Sequence, residues 1–130
     1  MASINFDITM PFIELLGFEL LHKKDGVARI KLEPTAEHLN SWNSLHGGVV
    51  MTLLDVALSS SARALDATCS GCATVEMKTN FLAGARGAVI AEGRAQRAGK
   101  SLIYAEGELR DAQGALLAKA SGTFKLLYPK

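Results

Sequence analysis

Between Glu37 and Arg63 the only formally charged side chain is Asp55, and the stretch from Gly47 to about Asp66 is apolar on nearly every side of a helix. A helix with that pattern is buried on nearly every side. Asp55 and the run Ser59-Ser60-Ser61 interrupt it, so it reads as a core helix and not as a membrane span. Upstream, Met10–Leu16 predicts a short helix, with Pro11 suited to its first turn and Gly17 to its end. Phe18–His22 and Val27–Leu32 predict two strand arms around the turn Lys24-Asp25-Gly26. Pro34 ends the second arm, and Thr35–Leu45 reads as a polar, irregular loop.

Beyond the helix the period falls to two. Val75, Met77, Thr79 and Phe81 alternate with Thr74, Glu76, Lys78 and Asn80. Strands follow over Ala88–Arg97, Leu102–Arg110 and Leu116–Leu127, separated by turns at Ala98-Gly99-Lys100 and Asp111-Ala112-Gln113-Gly114. In the last strand Leu116, Ala118, Ala120, Phe124 and Leu126 share a face. Connections this short join antiparallel neighbours. The predicted class is α+β, one curved antiparallel sheet wrapped around a long central helix. Ala91, Gly93, Ala95, Ala105 and Gly107 are the small residues expected where sheet and helix approach closely.

Composition narrows the function classes. The 130 residues fit a single domain over 1–130, with 48% hydrophobic and 21% charged residues. A formal net charge of +1 offers no basic surface for nucleic acid. The start, MASINFDITMPF, lacks the basic residues and long apolar run of a secretory signal, so a cytoplasmic location is expected. Cys69 and Cys72 supply only two of the four ligands of a structural zinc, and they lie where a helix runs into a strand, the reverse of a redox pair. They read as two reduced thiols in a turn.

Two features carry chemistry. Asp55 has no basic residue at the neighbouring helical positions, which hold Met51, Thr52, Leu58 and Ser59. Burying a carboxylate without a partner is expensive, so either a distant residue pairs with it or the site uses it. Leu45-His46-Gly47-Gly48 sets two unshielded glycine amides, Gly47 and Gly48, at a helix start, where negative charge is favoured. That suits a carbonyl oxygen becoming an oxyanion, although a plain glycine cap would look the same. Eight residues separate Gly47 from Asp55, roughly 12 Å along a helix, too far to serve one carbonyl. Two such helices packed antiparallel about a two-fold axis would bring Asp55 of one copy to Gly47 of the other. The stripe Gly48, Met51, Asp55, Ser59 and Ala62 is small or flexible enough for that contact. Arg94, Arg97, Gly99, Lys100 and Ser101 cluster at one hairpin end, which suits a phosphate or is simply a solvated turn. His22 and His38 suggest only structural roles.

The string Asn40…LHGGVVMTLLDVA resembles the hotdog-fold acyl-CoA thioesterases of the phenylacetic-acid-degradation type, and the likeness runs from about Pro11 to Phe124 through TVEMKTNFL, GRAQRAGKSL and AEGELRDAQGALLAKASGTF. The resemblance implies a homodimer, commonly assembled into a homotetramer, acting on acyl-CoA without metal or cofactor. It implies Asp55 as general base or nucleophile and the Gly47 amide as the group that polarises the thioester carbonyl. It places Asn40 and His46 in the same pocket, and Thr74 beside Asp55 holding the attacking water. By strict period two, Thr74 shares a face with Glu76 and Lys78, so it reaches Asp55 only if the strand starts irregularly. Phe12, Trp42, Met51, Leu54 and Leu58 are apolar candidates for a pocket or for plain core. A hydratase or dehydratase of the same fold ranks second, since HLNSWNSLHGG lacks the proline-rich loop of those enzymes. A non-catalytic acyl-CoA-binding domain is the third reading; it has little need of a buried Asp.

Overall fold

The computed structural model describes residues 6 and 8–130. Half of the stretch read for the absence of a secretory signal, residues 1–5 and 7, lies outside the described residues. The elements run α1 (Pro11–Leu16), β1 (Glu19–Lys24), β2 (Val27–Leu32), α2 (Gly47–Arg63), β3 (Gly71–Phe81), β4 (Val89–Arg97), β5 (Leu102–Asp111) and β6 (Leu116–Leu127). All strand pairs are antiparallel, in the order β1-β2-β4-β5-β6-β3, so β1 and β3 are the sheet edges. The sheet wraps around α2, the expected α+β architecture. No helix among the described residues is long and apolar enough to cross a membrane.

Leu53, Leu54, Ala57 and Leu58 of α2 are fully buried against the concave face, with Ile30, Ala91, Ile103, Ala105 and Leu109. Each buried leucine contributes roughly 2 kcal/mol. The helix sits at backbone contact: a methyl group at Gly93 would overlap the Ala57 carbonyl. The small residues of β4 and β5 are therefore where the pattern puts them.

Two expectations for α2 need correction. It ends at Arg63 and not near Asp66, because Ala64–Asp66 curl into tighter turns. Nor is it covered on nearly every side. Gly48 and Met51 are exposed and Asp55 and Ser59 half-buried, while Ala62, the last member of the stripe, is core. The sheet covers one side of an all-round apolar helix and, among the described residues, nothing covers the stripe on the other.

β3 departs from strict alternation. Its pairing with β6 shifts register between Thr74 and Glu76, leaving Val75 as the extra residue of a bulge. Cys72 and Thr74 pair with the inward Leu126 and Phe124, and Met77 pairs with the buried Gly122. Residues opposite each other in a ladder share a face, so the bulge puts Thr74 on the helix side with Met77. The expectation that it faces away with Glu76 and Lys78 is corrected by this one residue.

The 35–45 segment is more ordered than a polar loop, with a 3-10 turn at Ala36–His38 and a bridge between Leu39 and Leu45. His38 is buried; its Nε2–H donates to the Leu16 carbonyl at 2.7 Å and its Nδ1 accepts from the Thr35 amide at 2.9 Å. It ties the loop to α1. Past the far end of α2, Asp66 accepts from the Thr68 hydroxyl and amide and from the Tyr128 hydroxyl at 2.8 Å, and pairs with Arg97 at 3.3 Å. These bonds, Thr68 foremost, hold the Asp66 carboxyl down at about 2.

Two outcomes test this packing. Gly93→Ala forces α2 off the sheet and is expected to cost about 3 kcal/mol, seen as a fall in melting temperature of roughly 10 °C. Asp66→Asn lowers the melting temperature at neutral pH. Because the folded carboxyl is depressed to about 2, its contribution is present above the unfolded value of roughly 4 and disappears as pH falls toward the folded one. Thermal melts of both proteins should therefore converge in acid.

Candidate active site

Asp55 projects from the uncovered stripe of α2, and its Oδ1 accepts a hydrogen bond from the Thr74 hydroxyl at 2.6 Å. The bulge at Val75 makes this contact possible. Asp55 is half-buried, flanked by the exposed Met51 one turn earlier and Ser59 one turn later. Among the described residues no ion pair reaches it within 4 Å. A single hydroxyl donor leaves most of the carboxylate's acceptor capacity directed at whatever covers the stripe.

Cys72 lies in β3 rather than in a turn, and Cys69 in the loop before it; neither forms a disulfide. Burial pushes the Cys72 thiol up to about 11, with Cys69 and Asp55 adding in the same direction. A thiol held that high is a poor nucleophile at neutral pH.

At the start of the helix His46 is the N-cap. Its Nδ1 accepts the Gly48 amide at 2.8 Å, so its other ring nitrogen, Nε2, carries the proton in the neutral ring. A side chain at Gly48 would crowd that ring. The Gly47 amide is in the first helical position and meets no acceptor among the described residues, as expected for the first turn. Asn40 Oδ1 gathers the Trp42 amide at 2.9 Å and the Ser44 amide at 3.2 Å, which shapes the loop ahead of the helix.

The predicted residues thus fall into two groups. Asp55 and Thr74 meet in the middle of the helix, while Gly47 and Asn40 border a cavity of about 410 Å³ at its start, with His46 capping the helix beside them. Within one chain the rise of α2 keeps the groups roughly 12 Å apart. Of the apolar candidates, Trp42 lines that cavity; Leu54 and Leu58 are core, and Phe12 and Met51 are exposed elsewhere. Phe81, Leu109 and Leu117 line it too, which periodicity could not show because they are ordinary strand residues until the fold brings them together.

The hairpin after β4 lies beyond the other end of α2. Its phosphate reading loses some of its donors. The Arg97 guanidinium is held by Asp66 and by the Gly99 and Lys100 carbonyls, and the Gly99 amide donates to the Leu102 carbonyl. Arg94 pairs with Glu92. Lys100 stays exposed at the tip, with Ser101 half-buried beside it.

Comparison with known proteins identifies the family and the fold. The family model of the thioesterase superfamily matches residues 43–118, from the loop before α2 into β6. A protein of Saccharolobus solfataricus with the provisional name of esterase is 30% identical over 90% of this chain and 84% of its own length. Among solved structures, the Escherichia coli PaaI protein from the phenylacetic acid degradation operon superposes with a TM-score of 0.81 at 20% identity, covering 89% of this chain and 83% of that one. A Streptococcus mutans protein bound to acetyl-CoA superposes with a TM-score of 0.81 at 18% identity, covering 95% of this chain and 96% of that one. At those identities the two structures share the hotdog fold with this chain. With a family model over more than half its length and a 30% identical relative, the chain belongs to the thioesterase superfamily.

Proposed function

We propose that this protein hydrolyses acyl-CoA thioesters of aryl or medium-chain acids, in the manner of the phenylacetic-acid-degradation type, at a site shared between two copies of the chain. The observation that carries the reading is the Thr74–Asp55 hydrogen bond of 2.6 Å on a helix face that the chain itself leaves open. The acetyl-CoA held by the Streptococcus mutans relative of the same fold supports CoA as the carrier. Residues 1–130 form one catalytic domain, working in the cytoplasm as a homodimer that pairs further into a homotetramer.

In an antiparallel pair, one copy brings Asp55, Thr74 and the Lys100 hairpin, and its partner brings Gly47, Asn40 and His46. The thioester carbonyl accepts from the Gly47 amide, which has no intrahelical partner to give up. Asp55 either takes a proton from a water held with Thr74, and that water's oxygen adds to the carbonyl carbon, or adds to it directly to form an anhydride that water then opens. In both routes the tetrahedral oxyanion rests on the Gly47 amide at the helix start. Collapse breaks the carbon–sulfur bond. The departing thiolate takes the proton that Asp55 accepted from the water or, in the anhydride route, one released by the water that opens the anhydride. The His46 Nε2–H is placed to hydrogen-bond to the sulfur. A thioester needs no stronger activation, so neither metal nor cofactor takes part. Lys100 and Ser101 are the hairpin groups offered to the CoA phosphates, with Arg97 and Gly99 framing the path; Gly48, whose amide is taken by His46 Nδ1, contributes only room beside the helix start. The hydratase alternative asks His46 to act as a base, and its Nδ1 is spent on the cap.

Thiol release from a panel of aryl- and acyl-CoA esters tests the reading. Asp55→Asn is expected to lose on the order of a hundredfold or more in kcat. Absence of thiol release by the wild type from every ester would overturn the proposal and turn attention to enoyl-CoA hydration and simple CoA-ester binding. Thr74→Ala is expected to lower kcat about tenfold with little change in KM, and Thr74→Ser to restore it, since the hydroxyl and not the methyl does the work. Equal loss in Thr74→Ser would show that only packing matters there.

A further inference from the structure

The cavity beside Gly47 has a chemistry that the helix motif does not announce. It opens between the 40–45 loop, the first turn of α2 and the β3–β4 connection, and holds about 410 Å³, within the range of small-molecule sites. Trp42 and Phe81 form its aromatic walls and Leu45, Val50, Leu109 and Leu117 its aliphatic ones. Leu109 and Leu117 are buried, so its inner end is closed by core; Trp42, 78% exposed, stands at its rim. Among the described residues, no Asp, Glu, Lys or Arg lines it. Its polar side chains are Asn40 and Ser44, and they already bond to one another and to the loop backbone. Phe81 lies 3.5 Å from where a side chain at Gly47 would begin, so the apolar chamber starts directly beside the Gly47 amide.

We infer that this cavity receives the acyl group, that it admits neutral apolar acyl chains or rings, and that it rejects acyl groups ending in a charge. The inference rests on the thioesterase reading and adds to it the substrate class. With the carbonyl oxygen at the Gly47 amide, the acyl group runs into the chamber of the copy that supplies Gly47. The sulfur and pantetheine point the other way, toward the copy that supplies Asp55. A terminal carboxylate in the chamber would lose its water and meet no cation, a cost that butyrate's methyl group does not carry. Chain length is limited by Leu109 and Leu117 at the inner end and by Ala83, which lines the chamber from the exposed β3–β4 connection. Position 83 therefore controls chain length without belonging to the core.

The matched pair butyryl-CoA and succinyl-CoA, which differ by a methyl group against a carboxylate, tests the charge filter on the wild-type protein. The expected preference for butyryl in kcat/KM is at least a hundredfold. Ala83→Trp, which adds bulk from the exposed connection, is expected to lower the hexanoyl-to-acetyl ratio of kcat/KM at least tenfold. Ala112→Trp, on the distant β5–β6 turn, leaves that ratio as it is. Equal use of butyryl and succinyl thioesters, or an unchanged ratio in Ala83→Trp, would overturn the cavity assignment while leaving thioester hydrolysis standing. Absence of thiol release from every ester would instead overturn the thioesterase reading and this inference together.

Discussion

α2 touches β4 backbone to backbone. At Gly93 there is no room for one methyl group beneath the Ala57 carbonyl, and the alanines of β4 and β5 extend the same close approach along the sheet. That contact fixes the helix in depth and rotation, and the rest of the molecule follows from it. Leu53, Leu54, Ala57 and Leu58 are committed to the sheet, so the stripe of Gly48, Met51, Asp55 and Ser59 must face away. A helix that is apolar all round has been given only one sheet to lie on. The exposed Met51, Val75 and Phe81 along the open face of α2 and the free edge of β3 are the counterpart of that arithmetic, and a second copy of the chain is the natural cover.

The same rigidity divides the chemistry. A helix rises about 1.5 Å per residue, so no side-chain movement can bring the Gly47 amide and the Asp55 carboxylate of one chain to a single carbonyl. Each half is nevertheless well made. Thr74 is held on Asp55 by the Val75 bulge, and His46 closes the helix start while leaving the first amide without a partner among the described residues. Two half-sites on one straight element are complementary to two more on an antiparallel copy. In the proposed pair the cavity beside Gly47 and the Lys100 hairpin beyond the far end of α2 fall on opposite subunits, one for each end of a long substrate.

Much of this was legible in the order of residues, because period and punctuation are local. Pro11 and Gly17 bracket α1, the strand arms and hairpin turns lie close to their expected places, and the small residues of β4 and β5 mark the helix contact. The failures are where tertiary contacts override local pattern. Period two puts Thr74 on the wrong face because a bulge is a mismatch between two strands, and a single strand does not display it. The hairpin cluster reads as a phosphate cradle or as a solvated turn, and what the sequence does not show is that Asp66, far away in it, takes up the Arg97 guanidinium. The cavity beside Gly47 was hidden for the same reason: Phe81, Leu109 and Leu117 come from three different strands. His38 gave no sign that it would pin its loop to α1, since its partner is a main-chain carbonyl.

The shared site is tested most directly by mixing subunits. Asp55→Asn and the double variant Asn40→Ala/His46→Ala are each inactive or nearly so in this account, and they damage opposite halves. Unfolded together and refolded at equal amounts, half the dimers are hybrids, and each hybrid holds one site in which both halves are intact. Recovery of about a quarter of wild-type thiol release is expected. If the mixture releases no more thiol than the two variants apart while mass spectrometry shows that hybrids have formed, each site belongs to a single chain and the division of the site between two copies is wrong.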